Sequence, residues 1–348
     1  MTTSRLGTYQ LLEPLRRGAL AELFLAQSTV PGDGGARDLV LVKQLLRELV
    51  DDPARAAHVP EKAREVVGLK HPNLVRVIDV GCDGAQPWIA CDDVPGVSLR
   101  ELLDAFLARG ESMPAPLAVR ILTHVCDGLS ALHSADTARV HGAVSARSIR
   151  LALDGTVKLD DFGFAPKAGT PADAAKSEQL GFLSPEQILG EPLDMRSDVF
   201  AVGLVLFELV TGLRLYGASN TAATLQMVLE GGVPPIRSLN PALTEALENA
   251  ALKALSRAPE QRFASAAELR AALLACVDGD LPSISDVLDR ELPEARTSET
   301  ALRQRLVKGA PPSMSSTPVP SPSIDPSTST DAATAEPAKT KKARKAST

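Results

Sequence analysis

Residues 140–148 read Val140-His141-Gly142-Ala143-Val144-Ser145-Ala146-Arg147-Ser148, and residues 157–163 read Val157-Lys158-Leu159-Asp160-Asp161-Phe162-Gly163. Beyond them lie Ser184-Pro185-Glu186-Gln187 and Arg196-Ser197-Asp198-Val199-Phe200-Ala201-Val202-Gly203. Upstream, alternating apolar residues around 9–12, 23–26, 39–42, 74–80 and 88–91 predict five strands, interrupted by a helix near 61–69. From Leu99 onward helical patterns dominate, including 117–133 and 242–255. A strand-rich first part followed by a helical second part is an α+β chain of two lobes.

In this order and at these spacings, the four stretches resemble the catalytic domain of the bacterial eukaryotic-like Ser/Thr protein kinases. The resemblance covers residues 9–277, with an N-lobe over 9–94 and a C-lobe over 95–277. In that family the loop after the His141 position carries an Asp, a Lys and an Asn. Here Ala143, Ser145 and Ser148 occupy those places, so the chain resembles a degenerate, pseudokinase-like member.

Phosphoryl transfer is mostly positioning and charge neutralisation by parts that must all be present. A methyl group at 143 cannot accept the proton of an attacking hydroxyl, a contribution typically worth about 10²- to 10⁴-fold. Ser145 removes a cation beside the transferring group, and Ser148 is a poorer metal ligand than an amide. Because residues that act as a unit do not contribute additively, these deficits are not multiplied. Asp161 best fits the metal-binding role. Asp160 is expected to point to the opposite side of the strand end.

The nucleotide side is altered independently. In Leu15-Arg16-Arg17-Gly18-Ala19-Leu20-Ala21 only Gly18 remains of the family's three-glycine turn, with Arg16 and Ala21 at the outer places. Both restrict positive φ and close backbone approach to phosphates. Val40-Leu41-Val42-Lys43 resembles the strand whose Lys holds the α- and β-phosphates, which makes Lys43 that residue. Leu41 adds bulk above the adenine position, and Lys62 stands where the helix normally supplies an acidic partner for Lys43. Glu61 and Glu65 lie close enough on a helix to substitute, and the sequence leaves both open. Cys91 falls at the back of the adenine pocket as a small buried apolar residue, and Asp92-Asp93-Val94 forms the hinge. The nucleotide-binding set that the resemblance implies is Gly18, Lys43, Asp92, Val94 and Asp161. ATP and magnesium are expected to bind weakly, and no cofactor is required.

The scaffold residues are kept. Asp161-Phe162-Gly163 is complete, and Phe162 with His141 and Val66 forms an expected apolar column. Glu186 is expected to pair with Arg262, and Asp198 to hold the loop backbone by hydrogen bonds. His141, Phe162, Gly163, Glu186, Asp198 and Arg262 are thus structural residues.

At 348 residues the chain can bury a sizeable core. Its net charge of -6 argues against a nucleic-acid surface across the fold. The four cysteines have no metal or redox spacing, which fits a reducing cytoplasm. No signal peptide is apparent at the start, and the apolar stretch 199–210 is too short to span a bilayer and carries Glu208. A short helical extension over 278–310 is expected to dock on the C-lobe. Residues 311–348 are rich in Pro, Ser and Thr, expected to be disordered, and end in a basic cluster.

Two functions follow. The first is a catalytically impaired pseudokinase that serves as a binding or allosteric module for an active kinase, a regulator or a substrate, away from membranes, with nucleic acid reached at most through the basic tail. The alternative is an active atypical ATP-dependent Ser/Thr kinase.

Overall fold

The computed structural model describes residues 5–30, 39–134, 139–166, 169, 178–217 and 220–307. The expected turn at 31–35 and the Pro/Ser/Thr-rich tail lie outside the described residues. The upper lobe is an antiparallel sheet of β1 (Arg5–Leu6), β2 (Tyr9–Arg17), β3 (Ala21–Ser28), β4 (Leu39–Leu45), β5 (Val77–Asp83) and β6 (Gln86–Asp92). Its spatial order is β1-β2-β3-β4-β6-β5. Six strands stand where the alternation predicts five. The extra strand, β1, has only two residues, too few to show a period. It is secured because Leu6 is buried with Tyr9 and Trp88 in a small core of its own, where Tyr9 and Trp88 meet edge to face at 5.6 Å.

Two predicted boundaries move. The helix expected near 61–69 spans Pro53–Arg64, after which the chain tightens into i→i+3 turns at Glu65, Val66 and Val67. Gly68 then turns with φ 80 and donates to the Val77 carbonyl, which stops the helix before Leu69. The strand expected over 74–80 starts at Val77, because Leu74 and Val75 instead pair with Leu159 of the lower lobe. That pairing ties the two lobes through backbone hydrogen bonds.

A small antiparallel sheet of β7 (Gly96–Ser98), β8 (Ile149–Ala152) and β9 (Val157–Leu159) lies at the start of the lower lobe, in that spatial order. The lower lobe is otherwise helical around Met195–Thr211, whose residues from Ser197 to Val210 are all buried. A helix apolar on every side belongs in a core rather than at a surface. Asp194 caps its start by accepting from the Arg196 amide, and Gly212 ends it in the left-handed conformation with φ 73. Among the described residues no helix is long and apolar enough to cross a membrane.

Candidate functional site

The loop 141–148 and the segment 160–163 meet between the lobes, and their placement follows from the two short strands that flank them. His141 is buried. Its Nε2 donates to the Asp160 carbonyl at 2.8 Å while Nδ1 accepts from the Ala143 amide at 3.2 Å, so one ring bridges both segments. Burial holds its pKa below the ordinary histidine value, against the opposing pull of Asp198, and keeps the ring neutral. His141 and Phe162 pack edge to face at 4.8 Å, and Val66 lies in the same buried cluster.

Asp198 fixes the loop from below. One oxygen accepts from the His141 amide and the other from the Gly142 amide, both at 2.8 Å. His133 Nε2 makes a third contact at 2.8 Å. Gln187 completes the support by donating to the Gly142 carbonyl at 2.9 Å.

At the reacting centre this well-held loop presents little chemistry. The Ala143 methyl is buried and has no group to accept a proton. Ser145 and Ser148 satisfy each other: the Ser145 amide donates to Ser148 Oγ at 2.9 Å, and Ser148 Oγ donates back to the Ser145 carbonyl at 3.1 Å. Both are buried, so their hydroxyls hold the loop in shape.

Lys43 lies at the opposite wall with its ammonium 2.6 Å from Asp160 Oδ1 and 2.7 Å from Asp161 Oδ1. The expectation that Asp160 points away is therefore wrong. Asp161 has φ 65, a left-handed backbone, and alternation of side chains holds only for extended residues. Burial alone would push the Lys43 pKa down, but the two carboxylates outweigh it and hold it above the ordinary lysine value. For Asp161 burial pushes the pKa up, and Lys43, with a smaller contribution from Arg16, brings it below the usual carboxylate range. Neither Glu61 nor Glu65 takes the place of the missing helix carboxylate. Glu65 pairs with Lys62 at 2.9 Å on the exposed face, which spares Lys43 a second cation.

The hinge is tied on both sides. Asp92 accepts from Arg76 Nε and Nη2 at 3.1 and 2.8 Å. The Val94 carbonyl accepts from Arg150 at 3.2 Å. Cys91 is buried against the Leu41 carbonyl, and burial pushes its thiol pKa up, as suits an inert core residue. Between β2 and β3 the Gly18 amide donates to the Ala21 carbonyl at 2.8 Å, which closes a tight hairpin.

Asp161 supplies one carboxylate, Ser148 Oγ is committed to its own loop, and no group of three or more His, Cys, Asp or Glu side chains able to hold a metal occurs among the described residues.

Away from the cleft, Arg262 and Glu186 form a buried bidentate pair at 2.6 and 2.9 Å. Ser197 Oγ adds a third bond to Glu186 at 2.7 Å, and the remaining Arg262 donors reach the carbonyls of Ser256, Arg196 and Arg257. Burial would raise the Glu186 pKa, but Arg262 holds it low.

The family model for protein tyrosine and serine/threonine kinases matches residues 9–272. The chain belongs to the protein kinase family. It is 31% identical over 270 residues to the tyrosine-protein kinase MasK of Myxococcus xanthus, a match covering 75% of this chain and 41% of that protein. It is 33% identical over 295 residues to the serine/threonine-protein kinase PknB of Mycolicibacterium smegmatis, covering 80% of this chain and 44% of that one. The chain thus spans under half the length of these curated relatives. The crystal structure of the Mycobacterium tuberculosis PknI kinase domain superposes with a TM-score of 0.64 at 22% identity, covering 80% of this chain and 99% of that one. The kinase fold, with its β-sheet N-lobe and helical C-lobe, is shared.

Sequence reasoning missed Asp160, Arg76 and Arg150 as site residues. For Asp160 a signal existed: two adjacent carboxylates beside a lysine that had no acidic partner on the helix. Arg76 lies just before β5 and Arg150 in β8, and neither carries a motif.

Proposed function

We propose that this protein is a catalytically impaired member of the protein kinase family that acts by binding another protein, as an allosteric or scaffolding module. One observation carries the reading: Ala143 occupies the place of the proton acceptor in a loop that is otherwise fully held, and the two other replaced positions, Ser145 and Ser148, spend their polar groups on each other. The nearest carboxylates offer no substitute, because Asp160 and Asp161 both contact Lys43. Nucleotide and magnesium are both held weakly, and neither is required. The partner is an active kinase, a regulator or a substrate protein, in the cytoplasm and away from membranes, and contact with nucleic acid is confined to the basic tail.

A second reading is an active atypical Ser/Thr kinase. The curated relatives bear kinase names, and this favours it, as does the intact arrangement of Lys43, Asp161, Asp198 and Glu186 with Arg262. One purified sample decides between them. Nucleotide binding and transfer of the γ-phosphate are measured side by side with magnesium and with manganese. The proposal expects no incorporation of label above background and a small thermal shift at millimolar ATP, since a ligand stabilises only in proportion to its occupancy. Robust autophosphorylation abolished by Asp161→Ala overturns it in favour of the active kinase.

A further inference from the structure

The terminal helix Pro293–Val307 lies beyond the kinase-like motifs, which assign it no role. The preceding helix Ile284–Glu291 fastens to the lower lobe, with Ile284, Val287 and Leu288 buried. The terminal helix then leaves that anchor and crosses to the other lobe. Near its start, Arg296 Nη2 donates to the Leu153 carbonyl of the lower lobe at 2.9 Å. Two turns on, Arg303 Nη1 lies 2.7 Å from Asp93 Oδ2 in the hinge. Arg305 Nη2 reaches Glu13 Oε1 of β2, in the upper lobe, at 3.0 Å. From residue 296 to residue 305 a helix rises about 14 Å, so one rigid rod touches lower lobe, hinge and upper lobe in sequence.

The two ion pairs are partly sheltered. The side chains of Asp93 and Glu13 are 14% and 12% exposed, low for acidic residues on a surface. Their charges face the helix, and the arginines answer them.

We propose that the terminal helix is a latch across the hinge that restrains opening of the two lobes, with Arg303 and Arg305 as its clasps. Lobe opening requires the hinge to bend and β2 to move relative to the lower lobe. A rod anchored below by Arg296 and the buried helix before it resists both movements. Release of the clasps frees the upper lobe while leaving the lower lobe intact. The latch is independent of whether the protein transfers phosphate.

Hydrogen–deuterium exchange on the full chain tests it, comparing wild type, Arg303→Ala/Arg305→Ala, and the exchanged pair Glu13→Arg/Arg305→Glu. Loss of two partly sheltered ion pairs predicts roughly two- to tenfold faster exchange in the hinge, 92–97, and in 9–17. The exchanged pair should recover slow exchange in 9–17. The central helix Met195–Thr211 should exchange at the wild-type rate throughout. Unchanged exchange in the double variant overturns the latch. Acceleration that spreads to the central helix, or failure of the exchanged pair to recover protection, overturns it equally, since either would make the helix a general stabiliser.

Discussion

Lys43 Nζ stands 2.6 Å from Asp160 Oδ1, a carboxylate from the end of β9, and not beside any acid of the upper-lobe helix. The lysine therefore belongs, electrostatically, to the lower lobe. A buried ammonium needs a partner, and two adjacent acids supply it while Lys62 on the helix and Glu65 just beyond its end pair with each other on the exposed side.

Asp160→Ala should destabilise the fold by about 1–3 kcal/mol, since Lys43 keeps Asp161 but loses one charge-assisted bond. Glu61→Ala and Glu65→Ala should each stay within about 0.5 kcal/mol of wild type, as exposed substitutions do. Urea unfolding of the three variants measures both. Equal losses from Glu61→Ala and Asp160→Ala would show that the helix is the true partner of Lys43.

Ala143→Asp alone should leave phosphate incorporation at background. A restored proton acceptor is worth about 10²- to 10⁴-fold at most, and it would still face a loop whose other two polar positions are closed on each other. A filter assay with labelled ATP reads this directly; a large gain from the single change would locate the whole deficit at residue 143.

Arg262→Ala should cost about 3–5 kcal/mol, because Glu186 would remain buried without its counter-charge. Arg262→Lys should recover only part of it. A single ammonium cannot reproduce a bidentate pair together with bonds to three carbonyls. Thermal or urea unfolding distinguishes the three proteins.

Stability should fall as pH is lowered from 7 toward 5. Burial holds the His141 pKa below the ordinary value, so the unfolded chain takes up its proton near pH about 6.5 while the folded chain does not. The unfolded state binds more protons in that window, so ΔG of unfolding rises with pH and falls as pH is lowered. His141→Gln should flatten the slope, leaving the part due to His124, whose pKa burial also lowers. Urea midpoints at several pH values give the comparison; an unchanged slope in the variant would show that His141 protonates in the folded state.

The parts of this fold that were legible in the sequence are those fixed by local chemistry. The order of motifs placed the two lobes, and the resemblance of Ser184-Pro185-Glu186 to a family motif paired Glu186 with Arg262, 76 residues away. What was not legible depended on a single torsion or on distant packing. The left-handed φ of Asp161 breaks the alternation with Asp160, so that both carboxylates meet Lys43, and alternation cannot foresee a residue that leaves the extended region. The clasps on Asp93 and Glu13 come from arginines more than 200 residues away, on a helix whose spacing predicts its existence but not its path.

Gly163 has φ 89, and a Cβ built there would lie 2.7 Å from the Val59 carbonyl and 3.0 Å from Ala63 Cβ. The helix Pro53–Arg64 thus rests directly on the backbone of the lower lobe, with only a hydrogen atom between them. With the Lys43 charge relocated to Asp160, this seat is a matter of shape. Repulsion between atoms is indifferent to mobile ions, whereas exposed pairs separated by more than a Debye length of about 10 Å at 0.1 M are screened. Helix and lower lobe should therefore keep their spacing from dilute buffer to molar salt.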